Sequence, residues 1–179
     1  MLYVETSRLK LRDWDETDIV PFAALNADGN VMRYFPKTLS TEETEAFYIL
    51  IVDKIKANGY GLFAVEEKET NEFLGFIGFH RATFAADFTP CIEIGWRLKE
   101  AAWGKGFATE GAAACLQYGF TKLGFTDIYS FTAEVNTPSQ NVMRKIGMQY
   151  VKNFDHPKLK QGSILKKHVL YHINSNLLK

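Results

Sequence analysis

The stretch Glu93 to Glu110, EIGWRLKEAAWGKGFATE, decides the reading of this chain. It opens in an apolar run of strand length, Cys91 to Leu98. It closes in the start of a long alanine-rich helical segment, Gly104 to Leu123. The turn between them holds Gly104 and Gly106, which leave the backbone open. Ala108 and Ala112 stand one turn apart, so that helix face can lie close to a sheet. The first N–H groups of a helix have no partner inside it, and the helix dipole adds positive charge at that end. A glycine turn running into a helix is therefore an anion site, suited to a phosphate or pyrophosphate. Lys99 or Lys105 can add a charge.

Three kinds of phosphate loop compete for this turn. A Walker loop needs Ser or Thr after Gly-Lys, and here Gly106 follows Lys105. A dinucleotide fingerprint needs a third glycine. Thr109 stands at that place, although Asp127 lies near the distance expected for a ribose-binding acid. That fingerprint also normally opens a domain of parallel units, whereas this turn comes late in the chain. The third kind is the pyrophosphate loop of a coenzyme A-dependent acyltransferase.

Outward from the turn, strands and helices interleave. Ser7 to Trp14 alternates as a strand. Asp15 to Asn26 reads as a helix with Asp15 as N-cap. Ser40 to Asn58 reads as a longer helix. Ser40 and Glu43 have capping-box spacing, Phe47, Ile51 and Ile55 share a face, and Gly59 is the stop. Tyr60 to Glu67 and Phe73 to His80 form a hairpin around a polar turn. Beyond the long helix come a strand over Phe125 to Val135, a short helix over Pro138 to Ile146, and strands over Met148 to Phe154 and Leu165 to Ile173. No linker divides the chain, so the expectation is one α/β domain over residues 1–179 with a mixed sheet.

Composition narrows the function. Of 179 residues 46% are hydrophobic and 14% aromatic, with five prolines, which suits a folded domain. Lys plus Arg and Asp plus Glu are 21 each, so bulk attraction to nucleic acid is not the design. Residues 1–90 hold 15 acids and 9 bases, and residues 91–179 hold 6 and 12. That split is either solvated faces or a site taking a cation from one side and an anion from the other. Two cysteines exclude a disulfide framework and an all-cysteine zinc site. The N-terminus carries no secretory pattern. The longest apolar cluster, Phe47 to Val52, is far short of the ~20 residues of a membrane span. A soluble cytoplasmic protein without a membrane partner is expected.

A second motif decides among the loops. After a strand comes Asn136-Thr137-Pro138-Ser139, then Val142, Lys145, Ile146, Gly147 and Met148. Gly-rich loop, long helix, strand and this motif together resemble the GNAT superfamily of acetyl-CoA N-acetyltransferases. Four further stretches resemble its RimJ/RimL branch, which acetylates N-terminal amines of ribosomal proteins. They are Thr6-Ser7-Arg8-Leu9 with Leu11-Arg12, Glu93 to Leu98, Trp103 to Glu110, and His168 to Tyr171. The likeness spans nearly the whole chain. It implies a mostly antiparallel central sheet of about seven strands flanked by helices, with a splayed strand pair forming the acetyl-CoA cleft.

The resemblance also implies roles. Trp103, Gly104, Lys105, Gly106, Phe107, Ala108 and Thr109 match the loop that holds the pyrophosphate through backbone amides. Many relatives have Gln or Arg where this chain has Trp103. The strand of Ile94, Trp96 and Leu98 usually carries a bulge and splays from Phe125 to Val135, leaving main-chain groups for pantetheine. A donor there can also hold the thioester oxygen as it becomes an oxyanion. Asn136 matches a position that hydrogen-bonds the pantetheine or acetyl region, and Asn141 belongs to the same cofactor set. The chemistry of Asn136 also favours a turn before Pro138.

The reaction so implied needs a base for the amine, a stabilised oxyanion and a proton for the departing thiolate. Glu93, between Ile92 and Ile94, is the first base, since burial raises a carboxyl pKa. The alternative is a carboxylate facing solvent or held in a salt bridge. Glu134 is the second base. Ser139 can donate to the thiolate or simply cap its helix. Many relatives place a Tyr acid four residues after the Ser, where this chain has Met143. His80 lines the acceptor pocket or merely closes a strand edge, His156 lies in a loop that borders the acceptor, His168 and His172 lie on a strand, Cys91 and Cys115 read as core, and no metal is expected. Trp14, Phe35, Trp96 and Phe107 read as core or cleft wall. The segment Lys152 to Lys167, with five lysines, is a solvated loop or a contact for the coenzyme's ribose phosphate. The loops 26–40, 81–90 and 155–163 choose the acceptor.

The reading is acetyl transfer from acetyl-CoA to a primary amine by direct attack in a ternary complex. The acceptor is a protein N-terminus or a small amine such as a polyamine or aminoglycoside. A homodimer is compatible with it. A non-catalytic acyl-CoA sensor and a dinucleotide-binding domain are the competing readings.

Overall fold

Ser40 caps the longest helix as its spacing predicts. Its hydroxyl accepts from Glu43 N at 3.2 Å, the Glu43 carboxylate accepts from Ser40 N at 2.9 Å, and Gly59 ends the helix at φ +75°. A computed structural model describes residues 1–178, with side chains to residue 176. The elements are β1 (Leu2–Glu5), β2 (Leu9–Arg12), α1 (Ile19–Ala27), α2 (Thr41–Asn58), β3 (Leu62–Glu67), β4 (Phe73–Ala82), β5 (Cys91–Leu98), α3 (Phe107–Thr121), β6 (Asp127–Ala133), α4 (Thr137–Lys145), β7 (Gln149–Asp155) and β8 (Lys167–Asn174). They build an eight-stranded sheet in the order β1-β2-β3-β4-β5-β6-β8-β7. Every pairing is antiparallel except β5 with β6.

The sheet has one strand more than the seven expected. The extra one is β1, whose four residues bury only Val4, too little alternation to announce a strand. Asp15 caps a 3-10 turn over Glu16–Asp18 rather than the α-helix itself, which starts at Ile19. α3 begins at Phe107, not Gly104, because Gly104 and Gly106 take φ of +72° and +81° and cannot be helical.

Helices cover both faces of the sheet. α3 lies against Ile77 and Phe79 of β4, and its glycines set the closeness. A Cβ on Gly111 would sit 2.5 Å from Ile77 Cδ1, and one on Gly119 2.6 Å from Phe79 Cζ. On the other face Phe76 meets Phe22 of α1 and Phe47 of α2, with ring centroids 6.1 Å apart in both pairs. From Phe76 onward, alternation along β4 sends odd positions to α3 and even ones to the α1/α2 side; before the register shift near Gly75 the parity reverses, and Phe73 meets Phe22.

Within the acidic half several carboxylates are tied to local cations. Glu66 binds Lys10 and Arg12, Asp18 binds Arg12, Glu5 binds Lys68, and Asp13 binds the N-terminal amine.

Candidate active site

The glycine turn is built as an anion site. No side chain caps α3, and the first helical backbone donor is Glu110, whose N–H reaches Gly106 O at 2.9 Å. The amides of Phe107, Ala108 and Thr109 precede it and have no carbonyl a turn earlier to bond. A Cβ on Gly104 would meet nothing within 4 Å, and one on Gly106 only Arg8 Nη2 at 3.5 Å. The glycines serve positive φ rather than close packing within the protein. The Trp103 indole donates to Leu98 O at 2.9 Å, pinning the turn to the strand end. It fills structurally the place where a polar side chain was expected. Lys105 projects into solvent, and its carbonyl accepts from Arg8 Nη1 at 2.9 Å.

β5 and β6 part where the resemblance implies. One parallel bridge joins them, Glu93 with Tyr129. The expected bulge is absent on the β4 side, since β5 pairs with β4 unbroken from Ala82↔Cys91 to Gly75↔Leu98. The splay shows in the pairing of β5 with β6, which stops at that single bridge. Even-numbered β5 residues face the gap, as two bonds show: Ser130 Oγ donates to Ile94 O at 2.9 Å, and Trp103 donates to Leu98 O. Ile94 and Leu98 therefore have engaged carbonyls and buried side chains. Trp96, between them, turns its N–H and C=O to the opening by the same alternation.

Glu93 sits at the fork. Its side chain is 19% exposed, and Oε2 lies 3.1 Å from His80 Nδ1 on the paired strand. Burial raises its pKa above the usual carboxylate range, and contact with His80 opposes this only in part. The solvent-facing alternative does not hold, whereas contact with a neighbour does. Glu134, the second base considered, is exposed. It accepts from Asn153 Nδ2 at 2.7 Å and lies 3.6 Å from Lys167 Nζ.

Asn136 caps α4: its Oδ1 accepts from Ser139 N at 3.3 Å. Its Nδ2 donates to Thr132 Oγ1 at 2.8 Å and to Ser139 Oγ at 3.2 Å. The capping chemistry thus occupies the side chain assigned to pantetheine. Ser139, half-buried, accepts from Asn136 and keeps its own proton to donate. Met143 is 1% exposed within the core, so the usual Tyr position offers no acid. Asn141 is exposed, and its Oδ1 accepts from Arg144 Nη2 at 3.1 Å.

The remaining candidates are mostly structural. Phe107 and Trp14 are core. Cys115 is fully buried, and burial with the nearby Glu93 pushes the Cys91 thiol up to about 11. His156 and His168 lie 4.9 Å apart with their rings tilted by 49°, among Phe84, Phe131 and Phe154, and burial pushes His168 down to about 4. His172 bonds Asp127 Oδ1 at 2.8 Å. Among the described residues no three His, Cys, Asp or Glu side chains are placed to hold a metal, and no helix is long and apolar enough to cross a membrane. In the lysine-rich segment Lys152 pairs with Asp87 and Lys166 donates to Leu159 O.

Two features escaped the sequence reading. The first is a clamp on the glycine turn. Glu110 Oε1 accepts from Thr6 Oγ1 (2.6 Å), Ser7 Oγ (3.1 Å) and Arg8 N (3.1 Å), while Oε2 accepts from Arg8 Nε (2.7 Å). The Arg8 guanidinium also lies over Phe107 at 4.5 Å. Both halves had been noted as motifs, but nothing in their spacing of about a hundred residues joined them. The second is Ser130, buried and tied to Ile94. The His80–Glu93 contact follows from the β4–β5 register, in which the two residues stand opposite each other.

Comparison with known proteins gives the family and the fold. Residues 8–149 match the family described as "Acetyltransferase (GNAT) domain". The chain is similar to the uncharacterized N-acetyltransferase YnaD of Bacillus subtilis (strain 168), 32% identical over 148 residues that cover 83% of each chain. The crystal structure of a GNAT-family acetyltransferase from Bacillus anthracis shares 28% identity at a TM-score of 0.81, over 98% of this chain and 99% of that one. RimL, a ribosomal L7/L12 alpha-N-protein acetyltransferase in complex with coenzyme A, shares the fold at a TM-score of 0.79 and 17% identity, over 97% of this chain and 98% of its own.

Proposed function

This chain belongs to the GNAT family of acetyltransferases, and on that premise we propose that Glu93 is the base that readies its acceptor, a primary amine. The protein is an acetyl-CoA-dependent N-acetyltransferase. The observation that carries the assignment of Glu93 is its place at the fork of β5 and β6, on the strand that ends in the glycine turn.

Acetyl-CoA supplies the activated acetyl group, and the residues present fit it. The open amides of Phe107, Ala108 and Thr109, held at glycines of positive φ, suit the pyrophosphate. The main-chain groups of Trp96 suit the pantetheine amides, and its N–H is the donor for the developing oxyanion. Glu93 takes a proton from the ammonium directly or through one water. Its raised pKa brings it nearer the operating pH, where a base works best. His80 is half-exposed beside it and gives that proton a path to solvent. Ser139 donates to the departing sulfur, with Asn136 as the residue that positions it.

The branch likeness makes an N-terminal amine the first acceptor to test, and small polyamines the second. The experiment is thiol release from acetyl-CoA over a panel of peptides and amines. Acceptor-dependent release supports the assignment. Acetyl-CoA binding measured by calorimetry, without release on any amine, counts against it.

A further inference from the structure

The α1/α2 face of β5 presents a second polar group that acetyl transfer does not use. Arg97 stands four residues from Glu93 on the same face, about 13 Å along the strand. Its Nη1 donates to Asn26 Oδ1 at 2.6 Å. Nε is shut off from solvent without a hydrogen-bond partner, and no carboxylate among the described residues pairs with the guanidinium. Phe35, Phe76 and Phe47 surround it at 4.2, 5.2 and 5.9 Å. A cation so enclosed, with one neutral partner, is costly to keep. The free edge, Nε with Nη2, has the fork geometry that takes a carboxylate through two parallel bonds.

The floor between Arg97 and Glu93 is bare. Gly95 lies between them on this face, opposite Gly78 of β4. A Cβ on Gly95 would meet nothing within 4 Å, and its backbone is not in the positive-φ region, so no strain demands a glycine there. A base at one end, a cation with an unused fork at the other, and a glycine with an open Cβ position between them suit a molecule that carries both charges. Phe35, 39% exposed on the α1–α2 connection, is the ring that must swing for an anion to reach the fork.

We propose that Arg97 receives a carboxylate of the acceptor while Glu93 receives its amine. The acceptor class is then a zwitterion whose charges lie several bonds apart, such as a short peptide or an ω-amino acid. This rests on the assignment of Glu93 above. A carboxylate can come from a free C-terminus or from an acidic side chain near a peptide N-terminus, and both are the same chemistry at Arg97.

The test compares glycylleucine with its C-terminal amide, ε-aminocaproate with its amide, and a glycyl-glutamyl-leucine amide. Each is measured by thiol release and by calorimetry on the protein loaded with coenzyme A. The wild type is expected to favour each acid over its amide by about 10- to 100-fold, in KM and in Kd, the worth of a hydrogen bond to a charged group. The glutamyl peptide ranks with the acids if a side-chain carboxylate serves and with the amides if only a C-terminus does. In Arg97→Gln the preference falls to near one while the Kd of acetyl-CoA holds. Arg97→Lys, which keeps the charge without the fork, retains part of it. Gly95→Val, which leaves Arg97 in place, raises acceptor KM at least tenfold. Equal binding of acids and amides by the wild type overturns the proposal, as does a preference that survives in Arg97→Gln. Calorimetry separates this failure from that of the Glu93 assignment, because acid-selective binding without turnover impugns Glu93 alone.

Discussion

Gly106→Ala tests the anion site at its narrowest point. Gly106 holds φ at +81° as the residue that opens α3. An L-residue in that conformation costs about 1–2 kcal/mol. The space does not forbid a methyl group, since its nearest neighbour is Arg8 Nη2 at 3.5 Å. The chain therefore either carries the strain or relieves it by turning the peptide, and turning it withdraws the amides of Phe107 and Ala108 from the anion. If relief accompanies the empty protein and strain returns on binding, the Kd of coenzyme A rises by about 5- to 30-fold. Gly106→Val adds a branched side chain and is expected to cost more. Gly124→Ala is the control. Gly124 also has positive φ, +70°, with nothing within 4 Å of a Cβ, and it follows α3 at its far end. It is expected to lower Tm by about 2–8 °C without changing coenzyme affinity. Calorimetry with coenzyme A and thermal melts on the same samples decide. Unchanged affinity in Gly106→Ala, with a Tm loss like that of Gly124→Ala, refutes the loop's role.

Three other outcomes follow. Glu110→Gln is expected to weaken coenzyme A binding several-fold and lower Tm, because Glu110 ties Thr6, Ser7 and Arg8 to the glycine turn; both are read in the same assays. Although burial raises the Glu110 pKa, its hydrogen bonds from Thr6, Arg8 and Ser7 hold it below the ordinary value of 4.5. Its stabilisation is therefore full above that value and lost as pH falls through the lower folded one, so the acid limb of Tm against pH flattens in Glu110→Gln. Ser139→Ala is expected to cut kcat about tenfold or more with little change in acetyl-CoA affinity, as loss of a proton donor does; an unchanged kcat removes Ser139 from the reaction. Ser130→Ala is expected to cost about 1 kcal/mol in denaturant unfolding, because Ile94 O loses a buried hydrogen bond.

Most of the fold could be read along the chain because local rules dominate it. The capping box at Ser40, the β3–β4 turn and the strand–glycine–helix passage each follow from neighbours in sequence. What escaped depends on contacts between distant segments. β1 is a strand only because β2 lies beside it, and Glu110 anchors a turn only because Arg8 folds back onto it. The site shows the same division. Gly104 and Gly106 announced themselves through chemistry that few other residues can supply. Asn136 could be read either as a ligand contact or as a turn residue before Pro138, and its bonds in the structure are those of a helix cap. Trp103 looked like a departure from the pattern, yet its indole performs a fastening that no spacing rule encodes. Arg97 reads as an ordinary polar face until Asn26 and three phenylalanines from separate elements enclose it.

The most direct single measurement is kcat/KM against pH for the wild type and Glu93→Gln, by thiol release with the best acceptor found. Burial raises the Glu93 pKa, so the base must lose a proton before it works, and the wild-type rate rises with pH through a value above 4.5. In Glu93→Gln that limb disappears and the rate falls by about 100-fold or more, while acetyl-CoA affinity stays nearly intact. A variant with the wild-type profile and rate would contradict Glu93 as the base.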